Sequence, residues 1–481
     1  MNKHYLNFLH QGERLSGFLT WKYERETFSV PGVLCLEKAR QVVIRLILHS
    51  DSPMKLAFDT SLYMEANGEE VKPISIPEVC AFESTGGVLT LIQARAYQGH
   101  TEVIGNPIEI ALRPRFAIST FVEPPHWKNP VRLRAEIGGL EEWISSGISG
   151  RFIKLVRDTE TYASKDKITL ESFDYKTQDF PLVEDELCVS IKPYSRPSHK
   201  ERINEISIQF RSMLEVRSNQ NGMSWKAGLR EFRNFQELLM LLSWTSLEAT
   251  NLEGKFRQET SQNESFWESI NFPCPPKASS VGDWASIFNS SFAATDTRLP
   301  KPRRDFIIPY SEFDQSTMDA WRSMCEHKYH PIQLFIQTIE NPKMAPEVKA
   351  LQLGAGIEAL GFKLKEDTSS TSTADHKKAF QLFRLVGVTA KNLLPDLFEE
   401  WSDEANSVYQ AMKHLNRVLP ETGEIARINS LSELAIQACL ADELGASEAT
   451  IKSFLKERAS QLPTYTRIKD PSEINVNGAD Y

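Results

Sequence analysis

At 481 residues the chain exceeds the roughly 250 to 300 at which one hydrophobic core usually stops growing, so two or three domains are expected. A composition of 41% hydrophobic and 25% charged residues is that of an ordinary globular protein and excludes a disordered tail or a fibre. The formal net charge of −9 argues against non-specific coating of nucleic acid, so any nucleic-acid contact must be local.

The N-terminal "MNKHYLNFLHQGERLSG" has no continuous apolar run, and no later segment approaches the ~18 uncharged apolar residues of a membrane span. A cytoplasmic protein without membrane partners is expected. From residue 15 to about 218 the chain reads as short strands, among them "LSGFLTW", "TFSVPGVLCLE", "QVVIRLILHS", "MKLAFDTSLYM", "GVLTLIQARAY" and "INEISIQFRSMLEVRS". Most alternate apolar and polar residues, the pattern of half-buried antiparallel strands. Turn formers such as "VPGV", "EANGEE" and "STGG" sit between them at intervals suited to a sandwich or barrel. A helix over "LREFRNFQELLMLLSWTS" closes this part, since its leucines and phenylalanines recur at spacings of three and four.

Between 251 and 310 the pattern becomes irregular and predicts a linker or docking segment. Residues 311–465 then read as helices, including "APEVKALQLGAGIEALGFKL", "DHKKAFQLFRLVG" and "LFEEWSDEANSVYQAMKHLNR". Pro346 suits a first turn, Ser447 an N-cap and Gly445 a terminator. The polar "KEDTSSTSTAD" is expected to be a loop, and 466–481 a disordered tail. The predicted class is α+β and multidomain, with a β-rich antiparallel half at 1–250 followed by an all-α bundle at 311–465.

The six cysteines, Cys35, Cys80, Cys188, Cys274, Cys325 and Cys439, form no CxxC pair, so free, mostly buried thiols are expected. Within "CEHKYH", Cys325, His327 and His330 have the side chains of metal ligands. On a helix, however, Cys325 and His330 do not share a face, and no fourth ligand is nearby. No phosphate-cradling glycine loop or nucleophile elbow is present: "LGAGIEALG" sits inside a helical pattern. No metal and no cofactor is predicted.

One stretch concentrates chemistry. "ANSVYQAMKHLNRVLPETG" brings Lys413, His414, Asn416 and Arg417 together shortly before Pro420. On a continuing helix Lys413 and Arg417 are four apart and His414 and Arg417 three apart, so the three share a face, with Asn416 about 100° round from Arg417. Histidine can act as acid or base near neutral pH, and Lys or Arg can stabilise a charged phosphorane. The same cations also match the negative C-terminal end of a helix dipole, and both readings stand at this point.

The opening "LSGFLTWKYERETFSVPGVLCLE…VVIRLIL" resembles the N-terminal domain of ApeA-like bacterial anti-phage proteins, its Val-Pro-Gly read as a turn between strands. "ALQLGAGIEALGF" followed by "VYQAMKHLNRVLPE" resembles the ApeA-like HEPN domain. The resemblance implies a sensor or regulatory half joined to a metal-independent ribonuclease that acts as a homodimer through the helical domain. It also implies a phage-derived trigger and an RNA substrate, such as tRNA or another host RNA, whose cleavage stops growth of the infected cell. The usual HEPN pattern is an arginine and a polar residue, with a histidine four to six positions beyond. This chain departs from it, because no arginine precedes His414 in that helix. By the resemblance His414 carries the catalytic role, Lys413 or Arg417 is its cationic partner, Asn416 supports them, and Glu358 holds a cation or the histidine in place. The departure leaves a second expectation, a catalytically inactive HEPN-like binding or scaffolding protein in a defence complex.

Overall fold

The computed structural model describes residues 14–23, 26–37, 41–48, 78–84, 87–100, 108–119, 122, 126–146, 153–158, 167–172, 177–182, 186–200, 205–219, 222–257, 284–289, 305–367, 391–414, 417 and 419–461. The predicted strand "MKLAFDTSLYM", the turn "EANGEE", the helix "DHKKAFQLFRLVG" and the tail lie outside them.

The N-terminal half opens with β1 (Arg14–Tyr23), β2 (Glu26–Leu36), β3 (Val42–Leu48), β4 (Val79–Ser84), β5 (Gly87–Ile92), β6 (Arg95–His100), β7 (Ile108–Arg113) and β8 (Phe116–Ile118). Next come β9 (Arg132–Ile137), the helix α1 (Leu140–Ser146), β10 (Ile153–Asp158), β11 (Lys167–Ser172), β12 (Gln178–Leu182), β13 (Leu187–Lys200) and β14 (Glu205–Ser218). Helix α2 (Trp225–Ser243) precedes β15 (Ala249–Lys255) and β16 (Ala285–Phe288). Fourteen of these strands form one ladder in the order β12-β13-β14-β9-β15-β16-β8-β5-β4-β1-β2-β3-β7-β6, and β10 pairs with β11 alone.

Strand periodicity builds the core of this half. Leu19 and Trp21 of β1, Leu34 and Leu36 of β2, Ile44 and Leu46 of β3, and Leu89 and Leu91 of β5 are alternate residues that share one buried cluster with Phe82 and Leu112. The "VPGV" segment is not a turn: it lies inside β2, with Pro31 opposite Phe18 and Gly32 opposite Gly17. Pro31 is tolerated there because β2 begins to pair with β3 only at Gly32, so its missing N–H breaks no second ladder. "STGG" does join strands, for Ser84 pairs with Gly87.

The stretch read as irregular holds two strand segments. β15 runs through Lys255, and the four-residue β16 links β15 to β8, uniting the two parts of the ladder. Four buried residues, "ASIF", are too few to display a period.

Two compact units emerge, one of residues 1–141, 152–236 and 248–301, the other of residues 142–151, 237–247 and 302–481. The helical unit therefore takes in most of α1 and the last turns of α2. Its own helices are α3 (Gln315–His327), α4 (Tyr329–Glu340), α5 (Pro346–Asp367), α6 (Pro395–Phe398), α7 (Trp401–Lys413), α8 (Thr422–Glu443) and α9 (Glu448–Gln461). Asp314 caps α3 by accepting from the Thr317 N–H at 3.0 Å, and Ser447 caps α9 by accepting from that of Thr450 at 3.2 Å. Gly445, at φ +81°, lets the chain turn out of α8.

Within the helical unit the end of α2 is fully buried at Leu238, Leu239 and Met240. The carbonyls at this helix end lack intrahelical partners; the buried amide of Gln437 donates to those of Leu241 and Leu242, at 3.1 and 3.2 Å, and the Ile307 N–H donates to that of Leu242 at 3.0 Å. Trp143 donates its indole N–H to the Ile308 carbonyl at 2.8 Å. Helix α5 buries Ala350, Leu353, Ile357 and Leu360. Its glycines make room for neighbouring rings: a Cβ on Gly354 would stand 2.4 Å from Cδ2 of Tyr409, and one on Gly356 would stand 2.4 Å from Cε1 of Phe335.

Gly354→Ala and Gly356→Ala are each expected to destabilise the protein. Overpacking of about 1–3 kcal/mol opposes a helix-propensity gain of about 1 kcal/mol. Gly423→Ala in α8, where a Cβ would meet nothing within 4 Å, is the control and should be neutral or stabilising. Denaturant midpoints of the three variants decide it, and equal midpoints would refute the close-packing account.

Candidate functional site

Helix α7 reads WSDEANSVYQAMK, and its buried stripe of Trp401, Ala405, Val408 and Tyr409 has the spacing of an amphipathic helix. Trp401 fixes one end by donating to Ser432 Oγ at 3.0 Å. Two turns on, the Tyr409 ring lies against Gly354, which aims its hydroxyl along α5 towards Glu358, one turn further.

Three polar groups meet there. Tyr409 donates its O–H to Glu358 Oε2 at 2.7 Å. The Lys413 ammonium reaches the same oxygen at 3.5 Å and lies 4.5 Å from the centroid of the Tyr409 ring. The lysine thus has a carboxylate and an aromatic face as partners, both of which favour its charged form. Its side chain keeps 39% exposure, against 23% for Glu358, so the ion pair is half open to solvent.

Burial pushes the Tyr409 phenol above its ordinary value, with Glu358 acting in the same sense and Lys413 opposing. The hydrogen bond with Tyr409, ahead of the charge of Glu358, holds the Lys413 ammonium above its own ordinary value. Both shifts keep the phenol neutral and the ammonium charged at neutral pH.

The helix predicted to run through Arg417 ends at Lys413. His414 adopts φ −124° and ψ 111°, and its N–H makes the last helical bond, to the Gln410 carbonyl at 3.1 Å. The Arg417 N–H then bonds the His414 carbonyl at 3.1 Å, three residues back, in place of the helical bond to Lys413. Lys413, His414 and Arg417 are all exposed but do not share a helical face. Among the described residues, the His414 ring makes no hydrogen bond or ion pair. Asn416 lies outside them.

The structure therefore brings Glu358 and Lys413 together and leaves His414 and Arg417 in the adjoining turn. Sequence reading passed over Tyr409. Its signal was the Tyr409/Lys413 spacing of four matched by the Gly354/Glu358 spacing of four, which pairs a ring with a bare backbone and a cation with an acid.

Elsewhere, His327 Nδ1 lies 2.9 Å from the Ser323 carbonyl, and among the described residues no group of three or more His, Cys, Asp or Glu could hold a metal ion. Cys80 and Cys439 are buried thiols pushed up to about 12, too high to react as thiolates. Among the described residues no helix is long and apolar enough to cross a membrane.

The family model described as ApeA N-terminal domain 1 matches residues 19–321, well over half of the chain. The match ends inside α3, short of Glu358, Tyr409, Lys413 and His414. No curated protein and no solved structure matches the chain.

The raised phenol gives a pH signature. Tyr409 contributes stability that is complete below the ordinary phenol pKa of 10.0 and is lost as pH rises through its higher folded value. The melting temperature of the wild type should therefore fall more steeply above that pH than that of Tyr409→Phe. Parallel curves would contradict the assignment.

Proposed function

The chain belongs to the ApeA N-terminal domain 1 family, which sets it among anti-phage defence proteins, and from that premise we propose that its helical unit cleaves RNA without a metal once the β-rich half senses infection. The observation that carries this reading is the arrangement at the end of α7. A cation held by Glu358 and Tyr409 adjoins an exposed imidazole and an exposed guanidinium in the next turn.

Metal-free cleavage of RNA needs a base to remove the ribose 2′-hydroxyl proton, an acid to protonate the leaving 5′-oxygen, and cations for the phosphorane. His414 supplies an imidazole, the side-chain type that serves as acid or base near neutral pH. Lys413 supplies a point charge, and Arg417 can grip a phosphate with two hydrogen bonds. One histidine cannot be acid and base at once. A homodimer through the helical unit would bring a second copy of the same turn to a shared cleft. Asn416 supports the turn in this proposal, and the substrate is an RNA such as tRNA or another host RNA.

A second reading, a non-enzymatic binding or scaffolding protein, is favoured by one observation. His414 has left the helix, and among the described residues nothing orients its ring. A general base normally needs such a partner.

The two readings separate in bacteria expressing the wild type or His414→Ala at equal levels, with and without phage. For the ribonuclease, the wild type protects the culture and degrades RNA on challenge, while the variant does neither. Unchanged protection by His414→Ala would remove the histidine from the mechanism and put the binding protein ahead.

A further inference from the structure

We infer that Tyr409 is a positioning residue for the RNA-cleaving site: directly and through Glu358 it fixes the Lys413 ammonium so that its open side faces an RNA phosphate. The inference deepens the ribonuclease reading and rests on it for the identity of the ligand.

Tyr409 is 3% exposed and its ring is pressed against Gly354, so its hydroxyl has little freedom of place. That hydroxyl donates to Glu358 Oε2 at 2.7 Å, fixing a carboxylate that would otherwise swing on three rotatable bonds. Lys413 then meets two fixed surfaces, the carboxylate oxygen at 3.5 Å and the ring centroid at 4.5 Å. An ammonium has three N–H donors, and these contacts occupy one side of it. With 39% of the side chain exposed, the other side is turned outwards, next to the turn that carries His414. A lysine held this way is preorganised, because the ordering of its long side chain precedes binding of the phosphate.

Tyr409→Phe separates positioning from packing. The ring that fills the space over Gly354 remains, and so does the aromatic face under Lys413; only the O–H is lost. Glu358→Gln is the second variant, retaining shape while removing the charge.

The test uses the purified full chain with its lysines reductively methylated with 13C, the Lys413 signal being the one absent from Lys413→Arg. Lys413 in the wild type should titrate above an ordinary lysine, and in Tyr409→Phe and Glu358→Gln it should move down. RNA cleavage, followed in parallel on total RNA from cells challenged with phage, should fall about tenfold in Tyr409→Phe, the loss of one hydrogen bond to a charged group. The variant should keep a cooperative melting transition.

If Lys413 titrates identically in the wild type and in Tyr409→Phe, the inference is overturned whatever the cleavage result. It is also overturned if the signal moves while cleavage keeps its full rate. If the signal moves but the wild type cleaves no RNA, the hold of Tyr409 on Lys413 stands and the ribonuclease reading is the one that fails.

Discussion

The seat of the Tyr409 ring on the bare backbone of Gly354 is the contact on which the end of α7 depends. A methyl group at residue 354 would stand 2.4 Å from the ring, so the helix axes could not approach as they do. Without that approach the phenol would not reach Glu358, and Lys413 would be an ordinary surface cation. Gly356 does the same for Phe335 of α4, which makes α5 a helix packed on more than one side. Two glycines cost a helix about 1 kcal/mol each in propensity, and burial of two aromatic rings offsets this several-fold. The small residues of "LGAGIEALG" are therefore packing residues, and Glu358 is the polar member that this packing brings to Lys413.

In the β-rich half one constraint dominates in the same way. Eight strands share a core built from alternate residues, and the tight pairing of Gly17 with Gly32 lets Phe82 and Leu46 lie directly over the backbone. The proline and glycine of β2, which look like turn chemistry, serve a strand that has a neighbour on one side only up to Gly32. Burial also explains the cysteines: among the described residues Cys35, Cys80, Cys188 and Cys439 are buried and free.

The division into a β-rich half and helices was legible because both periods, two and 3.6, are written over long stretches. The polar caps at Ser447 and Gly445 were legible for the same local reason. What escaped was short or non-local. "RLRAEI" alternates strictly and becomes β9, yet six residues among arginines and glutamates carry little hydrophobic signal. β16 is four residues long and draws its place from partners at both sides of the ladder. At the candidate site, residue types and spacing pointed to Lys413, and the resemblance to Glu358. They could not reveal that the helix stops at Lys413, because that depends on a turn between Arg417 and His414, while Pro420 lies further on. Tyr409 drew no notice in the sequence; it is buried, and its hydroxyl is brought to Glu358 because a glycine 55 residues earlier accepts its ring.

The consequence for function is a division of labour at the end of α7. In the proposed ribonuclease, packing residues would fix the cation and the segment after α7 would supply the exposed histidine and arginine, with an RNA or a second protomer completing their orientation. The most direct measurement is the chemistry of the RNA ends in phage-challenged cells that express the protein. Attack by the 2′-hydroxyl without a metal leaves 2′,3′-cyclic phosphates and 5′-hydroxyls at the cuts, and those ends should accumulate with the wild type and be absent with His414→Ala. Cuts bearing 3′-hydroxyls and 5′-phosphates, or intact RNA in cells that the protein nonetheless protects, would contradict the account.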